Sequence, residues 1–157
     1  LVEAVKNPAS MEHQGPMMLA SMEAGLAFSN AVLGAVHALA HSLGGYLNLP
    51  HGECNAILLP IIVSYNYEAC PERFDRLAGA MGLDLAGCDA VKRSAVLVGK
   101  IAELRDRVGI SPTIGHLGVT RADVPRLADF ALKDACMVTN PRLMEREDVE
   151  AIFESTI

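Results

Sequence analysis

The sequence is poor in the residues that mark several protein classes, since it has no tryptophan and only 4% aromatic residues. Strands recruit aromatic and β-branched side chains, so this scarcity disfavours a β-sandwich and favours packed helices. Basic residues are also scarce, with 13 Lys and Arg against 19 Asp and Glu and a formal net charge of −6. Nucleic acids and anionic membranes attract basic surfaces, so neither is expected as a partner.

Cysteine pairs and long hydrophobic runs are absent as well. The four cysteines form no C-x-x-C pair, which excludes a zinc ribbon and a dithiol redox motif and predicts reduced thiols in a cytoplasmic protein. The longest apolar run, residues 56–63, is far shorter than the ~20 residues of a transmembrane helix. The first residues do not resemble a signal peptide, and the first residue is not methionine. We therefore expect a cytoplasmic chain that is part of a longer protein.

What the sequence does contain is apolar residues, 51% of the total, arranged mostly with helical spacing. This pattern predicts an all-α bundle of about seven helices without a sheet, in a single domain over residues 1–157. The predicted helices cover about residues 16–31, 33–43, 52–69, 71–82, 89–108, 120–137 and 145–157.

Glycine, proline and capping residues predict the helix boundaries. Pro16 is expected to start a methionine-rich helix that buries most of its circumference, and Gly44 with its neighbouring glycine is expected to end the next helix. Pro60 predicts a kink in the third helix. Thr120 is a plausible N-cap because Asp123 follows three residues later.

Three of the five histidines fall within the stretch "VHALAHSLGGYLNLPHGECNAILLP". His37 and His41 are four residues apart, so their side chains share one helix face and this spacing alone pairs them on one ion. His51 follows a turn that can bring the next helix alongside. Neutral imidazole binds zinc, iron and nickel, although a buried histidine is often only hydrogen-bonded. Glu53 is the only carboxylate nearby, so the site is incomplete.

These residues resemble a known family. The segment "AGLAFSNAVLGAVHALAHSLGGYLNLPHGECNAILLP" is similar to the signature of the iron-containing (group III) alcohol dehydrogenases, and "DACMVTNPRLMEREDVEAIFEST" is similar to their closing segment. The loop "ISPTIGHLGV" also matches, so the similarity covers essentially the whole chain. The resemblance implies a helical domain of the dehydroquinate-synthase type, which follows a nucleotide-binding domain in a two-domain enzyme. The family's Gly-rich loop and its first two metal ligands lie upstream of this segment.

The resemblance also assigns roles to individual residues. His37 matches the third metal ligand of the family and His51 the fourth, while His41 matches a pocket histidine that would carry the alcohol proton. Here the family match and the spacing disagree, and we follow the family match. Phe28 and Cys136 resemble residues that line the substrate and nicotinamide pocket; the alternatives are a core aromatic and a small buried hydrophobic residue.

The function implied by the resemblance is oxidation of a small alcohol, or reduction of an aldehyde or ketone, with NAD or NADP. Fe(II) or Zn(II) would polarise the substrate oxygen while the nicotinamide carries the hydride. Two alternatives stay open: a metal-binding or structural module without catalysis of its own, and a zinc-dependent enzyme similar to glycerol dehydrogenase. We expect this segment alone to be inactive. Its methionine-rich helix predicts association with the remaining domain or a second copy, as in a homodimer.

Overall fold

The computed structural model describes residues 1–157, which form eight α-helices and two short 3₁₀ helices without a strand. The α-helices are α1 (Val2–Lys6), α2 (Met11–Ala31), α3 (Ala35–Leu47), α4 (His51–Tyr67), α5 (Pro71–Ala80), α6 (Ala90–Arg107), α7 (Val124–Lys133) and α8 (Arg146–Ser155). The 3₁₀ helices are Gly115–Leu117 and Ala135–Thr139. The all-α prediction is confirmed. The extra helix is α1, whose five residues are too few for a periodic pattern.

Two groups of buried side chains hold the helices together. The larger has 18 buried residues and joins α3, α4, α7 and α8 through side chains such as Leu39, Ile57, Leu127 and Phe153. Burial of each large apolar side chain contributes about 1.5–3 kcal/mol, so this cluster fixes α3 against the start of α4. The smaller group, centred on Leu97, joins α4 to α5 and α6.

Helix α3 continues through Gly44 and its neighbour to Leu47, so the predicted end at the paired glycines is wrong. Glycine costs about 1 kcal/mol in a helix interior. Here the buried side chains of Leu39 and Leu43, which pack in the main core, offset that cost. The helix ends where Asn48 adopts a left-handed conformation with φ of 55°.

Helix α2 differs from its prediction at both its start and its surface. It begins at Met11, and Pro16 lies inside it rather than at its first turn. The turn before Pro16 is tied to α1, since the Gln14 side chain donates a hydrogen bond of 3.0 Å to the Ala4 carbonyl. No residue of α2 is buried, so the predicted burial of most of its circumference is wrong: Met18 is 70% exposed. The apolar face has no cover because short α1 is its main helical neighbour.

No single helix has both the length and the apolar character needed to cross a membrane. Helices α2 and α3 taken together are long and apolar enough, but their axes meet at an angle of 104°.

The later helices follow their predicted positions, with shorter ends. Helices α5, α6 and α8 lie within the predicted ranges. Helix α7 begins at Val124 with Asp123 at its N-cap, so Thr120 is not the cap. The Thr120 N–H and hydroxyl instead donate to the Asp123 carboxylate at 2.9 and 2.7 Å. Helix α4 continues past Pro60, and the kink expected there stays a prediction.

Candidate metal centre and active site

Three histidines meet where α3 packs against the first turn of α4. His37 and His41 project from successive turns of α3, and His51 is the first residue of α4. The ring centroids of His37 and His51 are 5.3 Å apart, those of His41 and His51 5.2 Å, and those of His37 and His41 5.9 Å. The fold therefore brings all three histidines of the motif into one cluster, which we call the histidine cluster.

The spacing of His37 and His51 fits two ligands of one ion. Imidazole nitrogens bind zinc at about 2.1 Å, so two rings on one tetrahedral ion have centroids roughly 5 Å apart. The 5.3 Å separation of these rings is close to that value, as is the 5.2 Å between His41 and His51, so the distance agrees with the family match but does not select the pair. A catalytic ion usually takes three or more protein ligands, so the pair supplies part of a site.

Burial keeps His37 in the form that binds metal. The pKa of His37 lies below its ordinary value because the ring is partly desolvated and faces His51 and His41, while Asp134 opposes this shift. A lowered pKa leaves the imidazole neutral at neutral pH, with a lone pair available for an ion.

Asn55, which the sequence analysis did not single out, holds the His51 ring. It lies one turn after His51 on α4, and its amide donates hydrogen bonds of 2.9 Å to both the Nε2 atom and the carbonyl of His51. The Nε2 atom therefore accepts a hydrogen bond, so its lone pair faces the Asn55 amide and the ring proton of neutral His51 is on Nδ1. The Oδ1 atom of Asn55 is buried without a hydrogen-bond partner.

Asp134, also not predicted, joins His41 to Cys136. The Nδ1 atom of His41 donates to one carboxylate oxygen of Asp134 at 2.9 Å, and the Cys136 N–H donates to the other at 2.8 Å. Burial opposes ionisation of Asp134, but these hydrogen bonds outweigh it and lower its pKa. The pKa of the Cys136 thiol is raised, first by burial and then by Asp134. Cys136 is thus placed beside the histidine cluster.

Phe28 lies near the end of α2 with 50% of its surface exposed. It lies outside both buried clusters of this chain, and its pocket role stays a prediction. Cys136 is only partly buried and is held at the hydrogen-bonded end of the second 3₁₀ helix, rather than within the core.

All 157 residues match the model of the Fe-containing alcohol dehydrogenase family, C-terminal. The chain belongs to this family. It is 40% identical over 153 residues to 1,3-propanediol dehydrogenase of Klebsiella pneumoniae. The aligned residues make up 98% of this chain and 40% of that protein. It is 38% identical over 139 residues to lactaldehyde reductase of Escherichia coli K12, with 88% of this chain and 36% of that protein covered.

Solved structures of the family agree with this assignment. The crystal structure of 1,3-propanediol oxidoreductase superimposes with a TM-score of 0.95 at 38% identity, over 99% of this chain and 41% of that one. Alcohol dehydrogenase from Oenococcus oeni also gives a TM-score of 0.95, at 40% identity and the same coverage. The chain thus spans about two fifths of the length of these family members.

The Asn-Pro-Arg segment, whose resemblance to the family was noted above, anchors the helix that carries the histidines. The Oδ1 atom of Asn140 accepts hydrogen bonds from the Ala35 N–H at 3.1 Å and from the Asn66 amide at 2.8 Å. Its own amide donates to Asn66 Oδ1 at 2.9 Å and to the Arg142 carbonyl at 2.6 Å. Asn140 therefore caps α3 and fixes it to α4. A Cβ atom on Gly34 would lie 3.2 Å from Asn140 Oδ1, so glycine leaves room for this approach.

Glu53 and the two remaining histidines lie outside the histidine cluster. Glu53 sits in the first turn of α4, as expected of an acid at a helix N-terminus. Its carboxylate lies 3.1 Å from the Nε2 atom of His116, an exposed residue of the first 3₁₀ helix. His13 is a partly buried residue of α2.

Proposed function

We propose that this chain is the helical metal-binding part of an alcohol dehydrogenase that interconverts a small alcohol and an aldehyde or ketone with NAD or NADP. The observation that carries the proposal is the His37–His51 pair, with ring centroids 5.3 Å apart, in a chain that matches the family over its full length. Relatives named as 1,3-propanediol dehydrogenase and lactaldehyde reductase support a small alcohol or aldehyde as substrate.

His37 and His51 are the residues that would hold the ion. Fe(II) is the first candidate because the family is named for it, and Zn(II) is the second because imidazole suits both ions. Such an ion supplies a Lewis acid for the substrate oxygen. The two histidines contribute neutral nitrogen ligands. The Asn55 amide donates to His51 Nε2, so this hydrogen bond must break for Nε2 to bind the ion.

His41 is proposed to accept the alcohol proton and pass it to water. Its ring lies 5.2 Å from that of His51, close to the proposed ion, and 40% of its side chain is open to solvent. Asp134 holds its Nδ1–H at 2.9 Å, which leaves Nε2 as the basic atom. Asp134 is thus a positioning residue for His41.

The nicotinamide is expected to bind mainly to a separate nucleotide-binding domain, with Phe28 and Cys136 lining its pocket. We also propose that residues 1–157 form one helical domain of that longer enzyme, in the cytoplasm, and that the enzyme is a homodimer. The names of the relatives do not favour the alternative of a structural module without catalysis.

Metal titration of the 157-residue chain tests the ligand assignment. Isothermal titration with Fe(II) under anaerobic conditions should show binding that weakens roughly tenfold or more in His37→Ala and in His51→Ala. His13→Ala, which alters a histidine of α2 outside the histidine cluster, is the matched control and should bind as the unaltered chain does. Unchanged binding in both His37→Ala and His51→Ala would overturn the ligand assignment.

A chimera tests the activity. These residues would replace the corresponding C-terminal segment of 1,3-propanediol dehydrogenase of Klebsiella pneumoniae, to which they are 40% identical. The chimera should oxidise 1,3-propanediol with NAD, and His41→Ala within it should keep its iron content and lose kcat. A folded, iron-loaded chimera without activity would contradict the dehydrogenase proposal, and loss of the iron in His41→Ala would show that His41 is an iron ligand.

A further inference from the structure

Beside the histidine cluster lies a second group of potential ligands, from three different chemical classes. One nitrogen of His41, one carboxylate oxygen of Asp134 and the Sγ atom of Cys136 all lie within 4.8 Å of one another. It is the only group of three or more His, Cys, Asp and Glu side chains in the chain whose ligand atoms come together in this way. His41 comes from α3, whereas the other two residues come from the segment that begins the second 3₁₀ helix.

The hydrogen bonds within this group place lone pairs around one point. Asp134 accepts from the His41 ring at 2.9 Å and from the Cys136 N–H at 2.8 Å, and the Cys136 Sγ atom lies within 4.8 Å of the other two ligand atoms. The His41 ring proton therefore lies between the nitrogen and the oxygen, and the Cys136 thiol carries a second proton close by. Removing both exposes three donor atoms to the same small volume, and a divalent cation would take the place of the protons.

We propose that His41, Asp134 and Cys136 bind a Zn²⁺ ion, in a site separate from the His37–His51 pair. Zinc accepts nitrogen, oxygen and sulfur ligands in a tetrahedral arrangement, and a thiolate selects it over Mg²⁺ and Ca²⁺. Ligand atoms around a tetrahedral zinc ion lie about 3.5 Å apart. The three ligand atoms lie within 4.8 Å of one another, and His41 Nδ1 and Asp134 Oδ2 are 2.9 Å apart, so the group is already close to this arrangement.

Protons balance in this binding step. The Cys136 thiol loses one proton to solvent as the S–Zn bond forms, and neutral His41 moves its Nδ1 proton to Nε2, so that Nδ1 gains the lone pair that binds. Asp134 is already ionised. The site then holds a dication between two anionic ligands and one neutral ligand, with no net charge.

A cavity of about 350 Å³ gives the ion access to this group. His41 and Asp134 line it, and its size leaves room for a water molecule as the fourth ligand. Lys133 lines the same cavity, and its positive charge weakens the attraction for a cation. An ion bound here would occupy the Nδ1 atom of His41 and slow proton transfer; this consequence depends on the proposed function, whereas the binding does not.

Titration of the 157-residue chain with CoCl₂, in an anaerobic buffer without thiols, tests the site. Co²⁺ occupies zinc sites, and a Co²⁺–thiolate bond gives an intense charge-transfer absorption in the near ultraviolet that histidine and carboxylate ligands do not give. The band should develop to one equivalent and disappear when Zn²⁺ is added. It should be lost in Cys136→Ser and need roughly tenfold more Co²⁺ in Asp134→Asn. Cys88→Ser, which alters another partly buried free thiol, is the matched control and should keep the band.

The double variant His37→Ala, His51→Ala separates this site from the one under Proposed function. Retention of the band there supports two independent sites, even if the chain has lost its Fe(II) binding. Loss of the band in this folded double variant would mean that the thiolate and the histidine pair share one ion, and the separate site would be refuted. A band that survives in Cys136→Ser, or cobalt binding without any band, would also refute it. Far-ultraviolet circular dichroism shows whether each variant is folded.

Discussion

Replacement of Asn140 with alanine is expected to destabilise the chain by about 3 kcal/mol, more than is usual for a partly exposed polar residue. The side chain satisfies the Ala35 N–H at the start of α3 and exchanges two hydrogen bonds with the Asn66 amide. The N-cap residue of α3 itself is Gly34, which has no side chain to accept that bond.

The magnitude follows from the groups that Asn140→Ala leaves unpaired. Loss of a helix cap costs about 1 kcal/mol. Asn66 is only 5% exposed, so water cannot readily replace the lost partner, and a buried polar group without a hydrogen bond costs about 1–3 kcal/mol. The sum is about 2–4 kcal/mol, against a total stability of about 5–15 kcal/mol for a typical domain.

Urea unfolding followed by circular dichroism at 222 nm measures this loss. A double-mutant cycle with Asn66→Ala isolates the interaction between Asn140 and Asn66. The loss of unfolding free energy in the double variant should be smaller than the sum of the two single losses by about 1 kcal/mol or more. The reason is that Asn66→Ala removes the buried amide that Asn140→Ala leaves without a hydrogen-bond partner. Asn30→Ala is the matched control, since Asn30 is exposed and bonds only to Leu26 within its own helix; it should change stability by less than about 0.5 kcal/mol. Additive single changes, or an Asn140→Ala variant as stable as the control, would refute the capping role.

Two further predictions concern titration and buried hydroxyl groups. The pKa of His37 is lowered by burial, so the unfolded chain binds more protons at this residue than the folded chain does. The free energy of unfolding should therefore be highest above the ordinary pKa of 6.5 and decrease as the pH drops below it. Urea unfolding at several pH values measures this decrease, and His37→Gln should remove the contribution of His37 to it. Burial, together with the hydrogen bond that the Tyr67 hydroxyl donates to Asp75, raises the pKa of Tyr67 to about 12. Tyr67→Phe should lower the free energy of unfolding by about 1.5–3 kcal/mol in thermal unfolding. Tyr46→Phe, whose hydroxyl makes no hydrogen bond in the structure, should lower it by less than about 0.5 kcal/mol.

Periodicity predicted most of the helices, and the errors lie where a local rule met tertiary packing. The glycine pair at 44–45 and Pro16 both favour a helix boundary in isolation. In the fold, core contacts of Leu43 carry α3 past the glycines, and the bond from Gln14 to α1 supports the turn before Pro16. The exposure of α2 could not be predicted from its sequence, because an apolar stripe looks the same whether or not another helix covers it.

The candidate site divides in the same way. His37, His41 and His51 lie close in sequence, and their residue types and spacing predicted that they would lie together. Asp134 and Asn140 did not stand out, because their partners on α3 lie 93 and 105 positions away and a long-range hydrogen bond leaves no pattern in one sequence. Asn55 follows His51 by four residues, so helical spacing offered a signal that the sequence analysis did not use.

The place of His37 in α3 connects the anchoring of the helix to its chemistry. His37 is the third residue of α3, in the turn whose first N–H is held by Asn140, whereas His41 lies one turn further along. The positive end of the helix dipole disfavours a cation in that turn, which acts in the same direction as the burial that lowers the pKa of His37. Fraying of this turn would move His37 while leaving His41 on intact helix. Asn140→Ala should therefore weaken Fe(II) binding by His37 and His51 more than it weakens the cobalt–thiolate band of His41, Asp134 and Cys136. Equal losses in both would show that the whole of α3 shifts rather than only its first turn.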